Sequence, residues 1–159
     1  TPRLSTVLCE QIITVPKRKL IKYYGELYTQ KEIDILNNCL AVSIRKSYPY
    51  KSEQQKNKLH RIPCQYEVWW DYKKDKHCIV VSNDVGNYFA PVVEIVYIKE
   101  GEKNQNPAHF ITYILQKPSL VLCDAITTIP KKNLKTYYGT LTQKEKNQLD
   151  KCLKVSLNL

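Results

Sequence analysis

The sequence predicts a mainly β domain of the α+β kind: a small barrel closed by a C-terminal helix, with a partial second copy of its last third at the N-terminus. Three observations predict it. Short β-branched and aromatic runs alternate with turn signals over residues 63–118, a spacing that suits a small barrel. A capping-box signature, Thr142-Gln-Lys-Glu145, opens one helical stripe near the C-terminus. Residues 5–44 repeat residues 119–157, with 22 of 39 aligned positions identical. The offset is 114 up to Leu27/Leu141 and 113 beyond the extra Tyr28.

The elements follow in order. Residues 1–44 form the partial repeat, residues 45–62 a basic linker and residues 63–159 the barrel domain. In the first copy Val7-Leu8-Cys9 opens a short strand that runs to Ile12, and Pro16 stops it because proline cannot continue a ladder. Val121, Leu122 and Cys123 do the same up to Ile126, with Pro130 as the stop. Tyr23-Tyr24-Gly25 and Tyr137-Tyr138-Gly139 mark a turn. Thr29 and Thr142 then cap a helix, each with a Glu three residues on. The stripes Ile33, Leu36, Leu40, Ile44 and Leu149, Cys152, Leu153, Leu157 read as core faces, so residues 1–44 are expected to dock somewhere rather than stand alone.

The linker carries Arg45, Lys46, Lys51, Lys56, Lys58 and Arg61 against Glu53. It reads either as a plain connector or as an arm whose Tyr48 and Tyr50 stack on RNA bases. In the barrel, strands are expected at Tyr66–Trp70, Cys78–Val81, Val92–Ile98 and His109–Leu115, with turn chemistry at residues 82–87 and a polar loop at 101–107. Trp69 and Trp70 read as barrel core and edge.

Charge and cysteines narrow the function. Lys and Arg number 25 against 15 Asp and Glu, a net charge of +10, which attracts polyanions such as nucleic acid or an acidic protein segment. The apolar runs are too short for a transmembrane helix. The six cysteines form no Cys-x-x-Cys pair and the three histidines are scattered, so no metal or other cofactor is expected. With no apolar signal core at the start, they read as reduced thiols of a cytoplasmic protein, and Cys9, Cys39, Cys123 and Cys152 as small buried hydrophobes.

Four stretches carry a resemblance. They are Glu67-Val-Trp-Trp70; Ile79-Val-Val-Ser-Asn-Asp-Val-Gly-Asn87 with Phe89-Ala-Pro91; Ser119–Leu134; and Gly139-Thr-Leu-Thr142 with Leu153-Lys-Val-Ser-Leu157. Together they resemble the MazF/PemK family of type II toxin–antitoxin endoribonuclease toxins over residues 64–159. The resemblance implies a Src-homology-3-like barrel of the MazF/CcdB type and metal-free cleavage of single-stranded RNA through a 2′,3′-cyclic phosphate. It also implies an acidic antitoxin protein as partner, and a homodimer or an intrachain pseudo-dimer. Residues 1–44 then look like the last third of another such domain. Either a tandem is truncated here, which the absence of Met favours, or the fragment imitates part of a second subunit.

The family uses an Arg-Pro pair before the second strand, a Thr or Ser at the end of the third, and a glycine-rich loop between the first two. This chain has Lys76-His77, Lys99 and the glycine-free run Asp71–His77 at those places. Asp124-Ala-Ile-Thr-Thr128 stands where the family has Glu-Gln-Ile-Arg-Thr. The resemblance thus makes Lys76 and Lys99 the candidate cations for a phosphorane and His77 the candidate base. Lys73, Lys74, Asn83, Asn87, Asp124 and Thr127 are the candidate RNA-binding residues. Lys76 as a solvated turn residue, His77 as an edge residue and Lys99 as a surface strand end are the structural alternatives. Two other functions fit the sequence: a degenerate module that binds RNA or an acidic antitoxin segment without cleaving, and a gyrase poison like CcdB.

Overall fold

A computed structural model describes residues 7, 9, 12–27, 29–45, 61–101, 103–114 and 116–159. Most of the linker, with Tyr48 and Tyr50, lies outside the described residues.

Seven antiparallel strands make one curled sheet. They are β1 (Glu67–Asp71), β2 (Lys76–Val80), β3 (Val92–Glu100), β4 (His109–Ile114), β5 (Lys117–Leu122), β6 (Thr127–Pro130) and β7 (Leu134–Thr140). The order is β4-β5-β3-β2-β1-β7, and β6 pairs with β3. The nine-residue β3 is the pivot. Its first part pairs with β6 and β2, and its last three residues leave β2 to pair with β5, Ile98 opposite Val121. That transfer curls the sheet, so apolar side chains gather on both of its faces. Val68, Ile79, Val96 and Val121 pack with Leu149, Cys152 and Leu153 of α3 (Gln143–Leu157). Trp69, Cys78, Val80, Ile95 and Ile129 fill the other face. The alternation of strand side chains produces this division.

The barrel with a C-terminal helix is as the sequence predicts, with four local differences. Val121–Ile126 is not one strand: β5 stops at Leu122, Cys123 and Asp124 turn, and β6 begins at Thr127. Tyr137-Tyr138-Gly139 is not a turn but lies inside β7, where the register against β1 jumps from Val68↔Gly139 to Trp69↔Tyr137. Gly139 there holds φ +141°, so the glycine serves a bulge. Residues 84–89 form a short helix, α2 (Asp84–Phe89), where only a turn was expected. Seven strands replace the expected five because both missed ones sit in the repeated segment.

The capping box at Thr142 and Glu145 is complete. Its counterpart at Thr29 and Glu32 makes the same reciprocal bonds at the start of α1 (Gln30–Arg45). The two helices differ in what they bury. Leu149 and Leu153 are buried, whereas Ile33 and Ile35 are exposed and Leu36 and Leu40 half-buried. Among the described residues the stripe of α1 is therefore less buried than the core face expected; the Ile44 side chain lies outside them. Cys78, Cys123 and Cys152 are buried, Cys9 is half-buried, and Cys39 is exposed rather than a core residue.

Candidate nucleic-acid interface

Lys76 and Lys99 lie at one end of the β2–β3 ladder. The last registered pair is Cys78↔Tyr97, and each lysine stands two residues beyond it in its own strand. Both side chains are exposed. Side chains two apart share a strand face, so both lysines fall on the face of Cys78 and Tyr97. Lys76 is also the cross-strand neighbour of Asp71.

A buried polar pair underlies this end. The Tyr97 hydroxyl donates to Asp71 Oδ2 at 2.6 Å, and the Lys73 amide donates to Asp71 Oδ1 at 3.0 Å. Asp71 is fully buried. Burial and the bond to Asp71 push the Tyr97 pKa well up, so the phenol stays protonated and keeps donating. The β1–β2 connection is thus fixed by an Asx-type contact rather than by glycine, with Asp75 taking the left-handed conformation at φ +55°.

Lys73 and Lys74 are exposed in that connection. Beside them is a group that sequence reasoning missed. The Tyr72 ring is 44% exposed and lies 5.5 Å from Lys73 Nζ and 5.3 Å from Lys135 Nζ. An exposed ring with ammonium groups over it combines aromatic surface and positive charge, the two features that hold single-stranded nucleic acid. Lys135 was hidden from sequence analysis because the segment after Pro130 read as a turn rather than as a strand beside β1.

His77 is placed apart from the lysines. As the residue after Lys76 in β2 it points to the other face, its ring edge-on to Trp70 and to Tyr138 with centroids 4.7 Å from each. Its Nε2 is buried without a hydrogen-bond partner among the described residues. Burial lowers its pKa, which favours the neutral ring.

The remaining candidates lie elsewhere. The Asn83 side chain caps α2 by accepting from the Gly86 amide at 2.8 Å. Asn87 is fully buried, and its side-chain amide donates to the Ser82 carbonyl at 3.0 Å. Both side chains are thus engaged in holding α2. Asp124 sits in the β5–β6 turn, 2.6 Å from His109 Nε2 and 3.1 Å from Asn106 Nδ2, and Thr127 pairs with Ile95. The structure therefore places Lys73, Lys74 and Lys76 at the β1–β2 connection and Lys99 on β3 opposite Leu120, with Asn83, Asn87, Asp124 and Thr127 elsewhere. Arg61, counted with the linker by sequence, pairs with buried Glu67 and lies 3.8 Å over the Tyr137 ring. Glu67 also accepts from Trp69 Nε1 at 2.9 Å and from the Cys64 amide at 3.0 Å, so this arginine completes a structural network. Among the described residues no cluster of three His, Cys, Asp or Glu is arranged to hold a metal ion. No described helix is long and apolar enough to cross a membrane.

This geometry sits within a known family. Residues 64–157 match the model of the PemK-like, MazF-like toxins of type II toxin–antitoxin systems. The endoribonuclease MazF of Staphylococcus epidermidis is 33% identical over 86 residues, covering 51% of this chain and 72% of that protein. Among solved structures, an endoribonuclease from a mycobacterial species superposes with a TM-score of 0.56 at 23% identity, over 64% of this chain and 96% of that one. The MazE–MazF complex of Deinococcus radiodurans gives 0.54 at 12% identity, over 63% and 100%. At those identities the structures speak for the fold, the curled sheet with its C-terminal helix. The family model covers more than half of the chain, and by that match the protein belongs to the PemK-like, MazF-like toxin family.

Proposed function

We propose that the lysine-bearing end of the β2–β3 ladder binds single-stranded RNA and cleaves it without a metal. The ribose 2′-oxygen attacks its own phosphorus, the 5′-oxygen leaves, and a 2′,3′-cyclic phosphate remains. Lys76 and Lys99 face the charge that grows on the phosphorane oxygens, while Lys73, Lys74 and Tyr72 hold the flanking strand. The observation that carries this reading is that Lys76 and Lys99 are both exposed and each stands two residues beyond the Cys78↔Tyr97 pair in its own strand. The base role of His77 requires its ring to leave the gap between Trp70 and Tyr138. That placement favours a second reading, RNA binding without scission, because the lysine pair then stands without an imidazole beside it.

The same basic surface suits an acidic antitoxin segment; a solved mycobacterial endoribonuclease of this fold is in complex with its cognate antitoxin. A cytoplasmic site of action and the division into residues 1–44, 45–62 and 63–159 belong to this proposal.

The test is incubation of the full chain with a long single-stranded RNA in EDTA, with end mapping. Discrete cuts with 5′-hydroxyl ends, lost in Lys76→Ala and Lys99→Ala, are expected. Binding that weakens with salt but leaves the RNA intact selects the second reading. RNA that neither binds nor breaks refutes both.

A further inference from the structure

The N-terminal segment touches the barrel in a pattern that its sequence gives meaning to. Ile12 and Ile126 are equivalent positions of the repeat, and so are Thr14 and Thr128. The Thr14 hydroxyl donates to the Ile126 carbonyl at 2.9 Å. The Thr128 hydroxyl donates to the Ile12 carbonyl, also at 2.9 Å. Each bond is the image of the other when the two copies are exchanged. That reciprocity is what a two-fold axis between identical surfaces generates, residue i touching j where j touches i. The Thr14 amide adds a third bond to the Ile126 carbonyl at 2.9 Å. Ile12 packs against the core cluster shared by the sheet and α3.

A second attachment lies at the end of α1. The Ser43 carbonyl, one of the terminal carbonyls that a helix leaves without an internal donor, accepts from the Asn83 amide at 2.9 Å and from Asn83 Nδ2 at 3.1 Å. Ser43 is buried there. Its equivalent in the second copy is Ser156, near the end of α3. The repeat thus holds the barrel by Ile12 and Thr14 and by the end of α1.

We propose that residues 12–45 occupy the seat of a two-fold related copy, so that the chain closes its own pairing edge and is a monomer. The partner this edge fits is the corresponding segment, residues 126–157, of a second copy of the chain; the tethered repeat takes its place first. The inference is independent of any RNA chemistry. It rests on the exchange symmetry of the Thr14 and Thr128 bonds.

The test uses the full chain. Sedimentation equilibrium is expected to give 18.6 kDa at all concentrations, and hydrogen exchange to show a protected Thr14 amide. Thr128→Val removes one hydroxyl from the barrel side and is expected to speed Thr14 amide exchange about three- to tenfold, the share of one ordinary hydrogen bond. Thr14→Pro removes both Thr14 donors; it is expected to keep the near-ultraviolet signature of the barrel and to sediment toward twice the mass as concentration rises. If Thr14→Pro does not fold, Thr128→Val decides alone. The proposal is overturned by a wild-type chain that dimerises with Thr14 protected, by a Thr14 amide that exchanges freely, by Thr128→Val leaving that amide unchanged, or by a folded Thr14→Pro that stays monomeric.

Discussion

Removing the Glu145 carboxylate tests how context sets the worth of a local motif. Glu145 Oε2 accepts from the Thr142 amide at 2.8 Å and from the Thr142 hydroxyl at 2.6 Å, which closes the capping box of α3. Its other oxygen accepts from the Thr112 hydroxyl of β4. Thr112 is only 2% exposed, so that hydroxyl has no water to turn to. Glu145→Ala therefore loses a cap, about 1 kcal/mol, and leaves a buried hydroxyl without its acceptor, about 1–3 kcal/mol. The sum is about 2–4 kcal/mol. Glu32→Ala removes the matching carboxylate from α1, where the box is exposed to water that can replace its bonds. That change costs about 0.5–1 kcal/mol, local to α1. Urea unfolding of both variants at pH 7, followed by tryptophan fluorescence, measures the difference. The pH dependence adds a check. Burial acts to raise the Glu145 pKa, but the bonds from Thr112 and Thr142 outweigh it and hold the carboxyl below its ordinary value. The ionised form thus favours the fold, and its contribution is complete above the unfolded pKa of about 4.3 and is lost as pH falls through the lower folded value. The gap between wild type and Glu145→Ala should narrow below about pH 4. Equal costs for Glu145→Ala and Glu32→Ala, or a gap that widens in acid, would refute the reasoning.

Two further substitutions probe the architecture around the lysines. Tyr97→Phe takes the 2.6 Å donor from fully buried Asp71 and is expected to cost about 1–3 kcal/mol by chemical denaturation, with RNA binding at the β1–β2 connection weakened alongside. Gly139→Val meets no atom within 4 Å of its new Cβ, so its penalty is that of a branched residue at φ +141°, about 1–3 kcal/mol, read as a lowered urea midpoint with an unchanged slope.

The sequence carried the class of fold because its strongest signals are short-range. Alternating apolar runs gave β1 to β4, and the Thr-Gln-Lys-Glu box placed the starts of α1 and α3. What escaped was non-local. Gly139 looked like a turn residue because a glycine in a bulge and a glycine in a turn read alike until the facing strand is known. Asn83 and Asn87 looked like loop residues offered to a ligand, yet their side chains hold α2 and, through Asn83, the end of α1. Tyr72 and Lys135 lie 63 residues apart in sequence, so no motif joins them; the β1–β7 pairing does. The strands that carry Lys76 and Lys99 were each visible in the sequence, but their register was not.

The repeat separates these two kinds of information within one chain. Pro16 and Pro130 have ψ of 136° and 135°, each followed by a three-residue 3₁₀ turn whose last bond runs back to Lys17 or Lys131. Gly25 and Gly139 hold φ of 147° and 141°. The backbone of the two copies is therefore the same wherever local sequence sets it. Among the described residues, the second copy alone makes a strand after its 3₁₀ turn, and there β1 offers a row of amides and carbonyls. Without that neighbour Tyr24 is 87% exposed, whereas its equivalent Tyr138 is 41% exposed against His77. Strand status, burial and the fit of α3 thus come from the pairing partner rather than from the repeated words. Among the described residues, the first copy touches the barrel at Ile12, Thr14 and Ser43 among others, where the barrel itself supplies the partner atoms.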